Sequence, residues 1–393
     1  MSTLEIQCTH LCIPLRTRFK HASAERRVAD SLWVEVRRGE HIGFGEGCPR
    51  DYVTGESAET SLAWLTELCP ALTREIKNVV DLRAWVAAHR AEIDRHPAAW
   101  CAVELALLDL FGKESAQPVE HLLGMKAYRG PFRYTAVVGD EAYTETEKKL
   151  RLYLDVGFSD FKFKVSGEIK ADRARMQRLF TLCRERNLPA PRLRIDANNL
   201  WAKQPDIARN FLAELNLPLC AVEEPLAPRA TAALSELSVA TALPIILDES
   251  LCRCEDLACF AALPGHWIGN VRISKLGGLL RSLEVIRRLR ALGWPVIVGA
   301  QVGETSVLTR AATVAAQAAG DALVAQEGAF GTLLLTHDVV EPVLMFGRGG
   351  ELLLPAAPDG TLLPGFGLER TSAPFENSRD ASGSRLGEVA ATS

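Results

Sequence analysis

Five short apolar stretches between residues 161 and 275 each end at a charged residue, and they recur at nearly even intervals. The charged residues are Lys164, Asp196, Glu223, Asp248 and Lys275. Successive members lie roughly 25 to 32 residues apart, about the length of one strand plus one helix in a parallel α/β unit. An eight-stranded barrel explains this spacing economically, because it brings the carboxyl ends of all its strands together at one mouth.

The sequence around these residues alternates between strand and helix patterns. Short apolar runs predict strands near 134–138, 160–165, 192–196, 219–223, 244–248, 268–274, 295–300 and 321–326. Apolar residues at helical spacing predict helices near 141–156, 170–187, 204–215, 230–240, 254–263, 279–292 and 305–319. We therefore predict an α/β fold, a TIM-like (β/α)7β barrel over residues 130–350.

Residues 1–129 follow a different pattern, in which strands come first and helices follow. Alternating apolar residues from Leu4 to Val36 predict strands, and Gly43–Gly47 is interpreted as a turn. Residues from Glu59 to about Leu123 predict helices. Strands followed by helices, without alternation, are typical of an α+β domain, and we place its boundary near Arg129.

Two segments follow the predicted barrel. Residues 351–370 contain glycine, proline and a few short apolar runs, and we expect them to return to the first domain. Residues 371–393 are rich in serine, alanine and glycine, a composition typical of a disordered tail.

Composition and charge indicate which kinds of molecule the protein is expected to bind. The 393 residues are 48% apolar and carry a net charge of −4, so nothing in the charge favours nucleic acid. No run approaches the roughly 18 apolar residues of a membrane span, and residues 1–40 lack a signal-peptide core. We expect a cytoplasmic homo-oligomer that acts on a small molecule and binds neither nucleic acid nor membrane.

Three of the strand-end residues are carboxylates. Asp196, Glu223 and Asp248 would end consecutive strands, and three hard oxygen ligands at one barrel mouth suit Mg²⁺, or Mn²⁺. The alternative is that they are unrelated helix caps or surface carboxylates. A zinc site is not favoured, because the eight histidines are dispersed and none accompanies the carboxylates.

The other two strand-end residues are lysines. Lys164 would end the second barrel strand and Lys275 the sixth, so they should face each other, an arrangement that suits proton transfer on two faces of a substrate. The charge of Lys162 and a nearby Mg²⁺ would favour the neutral form of Lys164 that a base requires. One alternative is that the lysines and carboxylates form a buried ionic network. Another is Schiff-base aldol catalysis, which would leave the carboxylates unexplained.

The motifs around these residues resemble those of the enolase superfamily, specifically the muconate-lactonizing-enzyme subgroup (mandelate racemase/muconate cycloisomerase-like). The resemblance covers roughly residues 4 to 370. It rests on five motifs: Lys162-Phe163-Lys164, Asp196-Ala197-Asn198, Glu223-Glu224-Pro225, Asp248-Glu249-Ser250 and Lys275-Leu276-Gly277-Gly278.

The resemblance implies a role for each residue. Asp196, Glu223 and Asp248 correspond to metal ligands. Lys164 and Lys275 correspond to the two acid/base residues, with Lys162 tuning Lys164 and helping to hold the substrate carboxylate.

The resemblance also implies a cap and one further site residue. Glu304 falls where relatives carry a glutamate near the active site, a helix N-terminal carboxylate being the alternative. The first domain corresponds to a capping domain whose loops, Arg16–Arg26 and Cys48–Gly55, close over the mouth. The first loop is basic, which suits either binding of an anionic substrate or a charged loop exposed to solvent. The cations of this loop and of the next residue are Arg16, Arg18, Lys20, Arg26 and Arg27.

Two departures from the family pattern bear on the substrate. Dipeptide epimerases of the subgroup carry an Asp-x-Asp after the eighth strand, where this chain has Gln326–Gly331, so a dipeptide is not favoured. Relatives of mandelate racemase carry a histidine after the seventh strand, where Gln301 and Gly303 stand here, so that branch is not favoured either.

The resemblance predicts Mg²⁺-dependent removal of the α-proton of a carboxylate substrate through an enediolate. We predict a racemase or epimerase acting on an amino-acid derivative, with cycloisomerisation of the muconate type as the close alternative. A non-catalytic binding protein on the same fold is the alternative from another class.

Overall fold

A computed structural model describes residues 3–21, 24–372 and 379–380, with only the backbone described at 17–21, 24–26 and 379–380. The N-terminal part contains an antiparallel sheet. Its strands are β1 (Glu5–His21), β2 (Ala24–Arg38) and β3 (His41–Gly47). Six helices follow: α1 (Asp51–Thr54), α2 (Ala58–Glu75), α3 (Val79–Ala88), α4 (Arg90–Ile93), α5 (Pro97–Glu114) and α6 (Val119–Leu122). We call this unit the cap.

The segment Gly43–Gly47 is a strand, so its interpretation as a turn was wrong. Gly43, Gly45 and Gly47 alternate along β3 and lie against α5, where a Cβ would come within 2.1, 1.8 and 2.0 Å of main-chain oxygens of that helix. Glycine at every second position therefore lets the backbone of α5 pack directly on the strand. The turn prediction failed because it used glycine's conformational freedom, whereas its small size is what matters here.

The second part is an eight-stranded parallel sheet with helices between its strands. After the short strand β4 (Phe132–Arg133), its strands are β5 (Ala136–Val138), β6 (Asp160–Lys164), β7 (Arg192–Asp196), β8 (Leu219–Glu223), β9 (Ile245–Leu247), β10 (Trp267–Val271), β11 (Val296–Val298) and β12 (Leu323–Gln326). Its helices are α7 (Tyr143–Val156), α8 (Ile169–Glu185), α9 (Pro205–Leu215), α10 (Thr231–Thr241), α11 (Asp256–Ala261), α12 (Leu279–Ala291) and α13 (Ser306–Ala319).

The sheet curls until its first and last strands meet. The strands follow one another in chain order from β5 to β12. The backbone N–H of Thr135, just before β5, donates to the main-chain oxygen of Gln326 at 2.7 Å, which joins the two edges. The predicted α/β barrel is thereby confirmed. One strand is shorter than predicted, since β10 ends at Val271, three residues before its predicted end.

Side chains that alternate into the barrel fill it below the mouth. A buried apolar layer comes from five successive strands and consists of Ala221, Ile246, Ile268, Ile297 and Ala325. Two residues further along β10, Asn270 points the same way and donates to Glu223 at 2.9 Å. Polar groups therefore lie directly above an apolar floor, at the carboxyl ends of the strands.

The chain after the barrel forms short pairings. The two-residue strands β13 (Val340–Glu341) and β15 (Glu369–Arg370) pair with each other, and β14 (Glu351–Leu352) pairs with β4. Within 351–370, the N–H of Phe366 donates to Asp109 of α5 at 2.7 Å. Most of the predicted tail lies outside the described residues, and its strand β16 (Arg379–Asp380) pairs with β1. No helix within the described ranges is long and apolar enough to cross a membrane.

Candidate active site

Two lysines on β6 point into the barrel, as the two-residue periodicity predicts. Lys162 is buried and donates to Glu223 at 3.0 Å and to Glu327 at 2.6 Å. Burial opposes its charge, but the carboxylates of Glu223, Glu327 and Asp196 raise the pKa of Lys162 above its usual value. Lys162 therefore stays protonated and is a permanent source of positive charge beside Lys164.

Lys164 lies at the carboxyl end of the same strand and keeps a small exposed surface, 12% of its side chain. Its Nζ donates to Oδ1 of Asn198 at 2.9 Å and lies 3.7 Å from Asp196. Burial lowers the pKa of Lys164, and although Asp196 opposes this, the charges of Lys162 and Arg272 lower it further. These are the conditions under which a lysine can act as a base.

The three predicted metal ligands are buried at the ends of neighbouring strands. Lys164, Asp196 and Glu223 are direct neighbours in the register of β6, β7 and β8, and Asp248 follows β9. Burial raises the pKa of Glu223 to about 8, and Lys162 offsets only part of that effect. Burial opposes ionisation of Asp248 as well, but Arg272 and Lys275 lower its pKa to about 2.

Lys275 is enclosed beneath the mouth. Its side chain has 0% exposure, and its Nζ donates to Oδ1 of Asp248 at 2.8 Å, to the main-chain oxygen of Asp248 at 2.6 Å and to that of Asn270 at 3.0 Å. An ammonium group has three hydrogens to donate, and all three are used here. The structure therefore places Lys275 beside a candidate metal ligand, in contact with the protein on every side.

An arginine that was not among the predicted site residues lies in the mouth. The guanidinium of Arg272 forms an ion pair with Oδ2 of Asp248, lies 3.4 Å from Glu223 and donates to Gln301 at 3.3 Å. Its side chain is 12% exposed, the same fraction as that of Lys164. The alternation Ile268, Asn270, Arg272 along the predicted strand 268–274 could have revealed it, since it is the pattern that selected Lys162 and Lys164.

Glu327 is the second missed residue. It is buried at the end of the eighth strand, where one oxygen accepts from Lys162 and the other lies 3.9 Å from Arg194. In the sequence, the segment stands out only because it lacks an Asp-x-Asp. A lone carboxylate among glycine and alanine gave no signal of its own, because its partner lies 165 residues away in the chain.

Glu304 lies at the rim, two residues before the start of α13. One of its oxygens accepts from the backbone N–H of Gln301 at 2.6 Å. Burial raises its pKa to about 8, and Glu46 adds to the effect while Arg272 and Arg50 oppose it. Glu304 is therefore near the mouth and also near a helix start, so both of its predicted roles fit its position.

The donor set fits Mg²⁺ by its chemistry. Asp196, Glu223 and Asp248 are hard anionic ligands, and the buried Oε2 of Glu249 accepts no hydrogen bond from any described residue. The ligand atoms of these three carboxylates do not all lie within 4.8 Å of one another. Among the described residues, the group that meets this distance is His10, Cys12 and Asp30, on cap strands β1 and β2. Lys162 lies between Asp196 and Glu223, and Arg272 lies between Glu223 and Asp248. These two cations balance the negative charge of the three carboxylates.

The second predicted cap loop lies against the barrel loops at the mouth. The N–H of Cys48 donates to Ser274 after β10 at 2.8 Å, and Arg50 donates to the main-chain oxygen of Val302 after β11 at 2.8 Å. The side chains of 17–26, including Arg18, Lys20 and Arg26, lie outside the described residues. Arg16 donates to the main-chain oxygen of Thr332 at 2.7 Å, so this cation stabilises the contact between the cap and the segment after β12.

A capped barrel with a lysine pair and strand-end carboxylates at its mouth defines a class of barrel enzyme that abstracts protons next to carboxylates. Comparison with known proteins identifies the family. The family model described as "Enolase C-terminal domain-like" matches residues 144–372, more than half of the chain, and the chain belongs to this family. The predicted membership of the enolase superfamily is thereby confirmed.

Several relatives are similar along most of their length. An N-succinyl-L-Arg/Lys racemase of Bacillus cereus is 27% identical over 315 residues, which cover 78% of this chain and 83% of that protein. The L-Ala-D/L-Glu epimerase of Bacillus subtilis, solved with substrate, superposes with a TM-score of 0.80 at 25% identity over 95% of this chain and 100% of that one. A dipeptide epimerase of Cytophaga hutchinsonii, solved with Mg and D-Ala-L-Val, has the same fold, with a TM-score of 0.80 at 22% identity over 97% and 99%.

Proposed function

We propose that this protein removes the α-proton of a carboxylate substrate to give an enediolate, with racemisation or epimerisation of an amino-acid derivative as the leading outcome. The observation that carries the proposal is the position of Lys164. It ends β6, keeps part of its side chain exposed at the mouth, and lies in register with Asp196 and Glu223 on the next two strands. The relatives named above are a racemase and two epimerases, which supports the same reading.

Lys164 and Lys162 have different roles in this reaction. Lys164 takes the proton, because its pKa is lowered and it is the more exposed of the two. Lys162 is held by Glu223 and Glu327, and its charge favours the neutral form of its neighbour. Lys162 is therefore a positioning residue that also attracts the substrate carboxylate.

We propose Asp196, Glu223 and Asp248 as the ligands of Mg²⁺, with Mn²⁺ as a substitute. A bound Mg²⁺ would supply positive charge next to the substrate oxygens on which negative charge develops. The protein contributes a dry site for this charge, because all three carboxylates have side chains that are 1% exposed.

Cycloisomerisation is the second candidate, and the enclosure of Lys275 favours it. A cycloisomerase uses the same enediolate but requires a base on one face only, whereas a two-base racemase requires a reactive group on each face. Self-association, a cytoplasmic location and the use of cap loops to select the substrate stay predictions.

The test is α-proton exchange in ²H₂O. We expect Mg²⁺-dependent incorporation of deuterium at the α-carbon of at least one compound in a panel of N-succinyl amino acids, dipeptides and unsaturated diacids. A chelator should abolish the exchange, and added Mg²⁺ should restore it. Exchange that survives metal removal would contradict the metal assignment, and its absence throughout the panel would favour the non-catalytic alternative.

A further inference from the structure

Three side chains of different chemistry come together on one face of the cap sheet. His10 and Cys12 lie two residues apart on β1, so they share a face. Asp30 of β2 is directly opposite Cys12 in the antiparallel register, where side chains are close enough to interact. The pairing of the two strands therefore assembles an imidazole, a thiol and a carboxylate from separate parts of the sequence.

The distances between the three donor atoms match those of a tetrahedral metal site. Nε2 of His10 lies 3.3 Å from Oδ1 of Asp30 and 3.4 Å from Sγ of Cys12, and Sγ lies 3.7 Å from Oδ1. Zinc–ligand bonds of ordinary length at tetrahedral angles would separate the same pairs of atoms by about 3.4, 3.6 and 3.6 Å, in that order. Each observed distance is therefore within about 0.2 Å of the value that a bound ion requires.

The cluster is open to water and is held by the protein beside it. The side chains of His10 and Asp30 are 15% and 42% exposed, so an ion can enter from solvent. The backbone of Asp30 is fixed by Arg50, which is buried and donates to its main-chain oxygen at 2.9 Å. Arg50 also donates to Val302 after β11, so β2 is anchored to the barrel at this point. An entry path and a fixed ligand strand are both properties of a metal site.

We propose that His10, Cys12 and Asp30 bind a divalent transition-metal ion, Zn²⁺ by preference, in the cap. Thiolate and imidazole are ligands that Zn²⁺ favours, whereas Mg²⁺ requires hard oxygen donors, so this site and the barrel mouth select different ions. As the metal–sulfur bond forms, the S–H bond of Cys12 breaks and its proton passes to water. Water fills the fourth tetrahedral position. The proposal does not depend on the reaction at the mouth.

The position of the site in the chain suggests what the ion would stabilise. Between Cys12 and Asp30 the chain contains the predicted first cap loop, Arg16–Arg26. An ion bound to residues on both sides would hold the two ends of this segment together, as a metal clip does.

The probe for the first experiment is Co²⁺, because it occupies zinc sites and gives a charge-transfer band in the near ultraviolet when a thiolate binds it. The reduced protein is titrated with Co²⁺ in an excess of Mg²⁺. We expect one equivalent of Co²⁺ to develop the band and added Zn²⁺ to abolish it, since Zn²⁺ prefers tetrahedral thiolate sites. The proposed ligands at the mouth are carboxylates and give no such band.

Four variants assign the band to its ligands. Cys12→Ser should remove it, and His10→Gln and Asp30→Asn should each weaken Co²⁺ binding by about tenfold or more, because loss of a ligand costs at least as much as loss of an outer-shell partner. Cys259→Ser, at an exposed position of α11, is the matched control and should keep both the band and the affinity. Circular dichroism checks that each variant is folded.

Three results would overturn the proposal. The first is the absence of the band in the wild-type protein, and the second is a band that survives in folded Cys12→Ser. The third is an unchanged Co²⁺ affinity in either His10→Gln or Asp30→Asn.

The second experiment uses the wild-type protein and resolves each cysteine separately. Iodoacetamide alkylates thiols, and peptide mass spectrometry gives the rate at each position with and without Zn²⁺. We expect Zn²⁺ to slow the alkylation of Cys12 by about tenfold or more, because the sulfur that would attack the reagent is bound to the metal. The exposed Cys259 should react at the same rate in both conditions. An equal rate for Cys12 with and without Zn²⁺ would show that the three side chains only hydrogen-bond to one another, and the proposal would fail.

Discussion

Nζ of Lys162 lies 2.6 Å from Oε2 of Glu327, which joins the second strand of the barrel to the residue after the eighth. Both side chains are almost completely buried, with 3% and 6% exposure. An ion pair in such a place costs desolvation on both sides, so each charge depends on the other. The pair also fixes the lysine that lies two residues before Lys164.

Replacing one member of this pair should be costly. We expect Glu327→Gln to lower the free energy of unfolding by about 3–5 kcal/mol, because it leaves the charge of Lys162 undercompensated in a buried site. Urea denaturation measures the change. The control is Glu351→Gln, whose partner Arg133 is 82% exposed, and it should cost about 0–1 kcal/mol. Equal costs for the two variants would contradict the argument.

The metal assignment predicts a loss of binding that can be measured without substrate. Asp248→Asn should weaken Mg²⁺ binding by at least about tenfold in calorimetric titration, because it removes one of three anionic ligands. Asp206→Asn, which alters an exposed carboxylate on α9, should bind Mg²⁺ as the wild type does. Circular dichroism checks that the variant is folded. Undiminished Mg²⁺ affinity in the folded Asp248→Asn protein would exclude this carboxylate as a ligand.

The base assignment predicts a large kinetic effect with little change in fold. Lys164→Met should lower kcat by a factor of roughly 10² to 10⁴, because the proton acceptor is removed while the rest of the site is intact. Steady-state kinetics on the substrate found by the exchange screen provides the measurement. Lys170→Met, at an exposed position of α8, serves as the control. A fall of less than about tenfold in kcat would assign the base elsewhere.

A buried carboxylate between cap and barrel predicts how stability depends on pH. Burial raises the pKa of Glu46 from its ordinary 4.5 to about 7, with Asp338 adding to the effect and Thr305 and Ser31 opposing it. The unfolded chain loses this proton near pH 4.5 and the folded chain keeps it to about pH 7. Folding therefore loses stability as pH rises through that window.

Glu46→Gln removes that contribution. We expect the free energy of unfolding of the variant to decline less than that of the wild type between pH 4.5 and 7, with the difference constant above pH 7. Urea unfolding at several pH values gives both curves. Parallel curves would show that Glu46 titrates alike in the folded and unfolded chains.

The glycine contacts of β3 predict a steric effect. A Cβ on Gly45 would lie 1.8 Å from the main-chain oxygen of Ala102, a distance that neither backbone can accommodate without shifting. Gly45→Ala should destabilise the protein by about 1–3 kcal/mol or more, as overpacking of a rigid contact does. At Gly347 the same methyl group would lie 3.7 Å from its nearest neighbour, so Gly347→Ala should cost much less. Thermal unfolding of both variants measures the difference.

The sequence predicted the barrel and most strand ends because charged residues recur at the period of a strand plus a helix. Lys164, Asp196 and Glu223 lie in register as that period implies. The period does not determine where a strand ends. The predicted β10 ran three residues too far, and the place of Arg272 in the mouth was missed. Counting alternate residues from Ile268 in the apolar floor would have revealed Arg272 as a further mouth residue.

Other features depended on contacts that are distant in the chain. The pairing of Lys162 with Glu327 and the position of α5 on β3 are set by packing between segments that no local pattern connects. The domain limits at residues 129 and 350 stay predictions.

The cap is attached to the barrel through buried polar contacts as well as apolar packing. Glu46 accepts from both the backbone N–H and the hydroxyl of Thr305 at the start of α13. Glu120 of α6 forms an ion pair at 2.8 Å with Arg310 of α13. A chimera that exchanges the cap between relatives must therefore carry these partners across as matched pairs. A foreign cap without them would leave the start of α13 and a buried guanidinium uncompensated, so the unit that can be transplanted extends from the cap into this helix of the barrel.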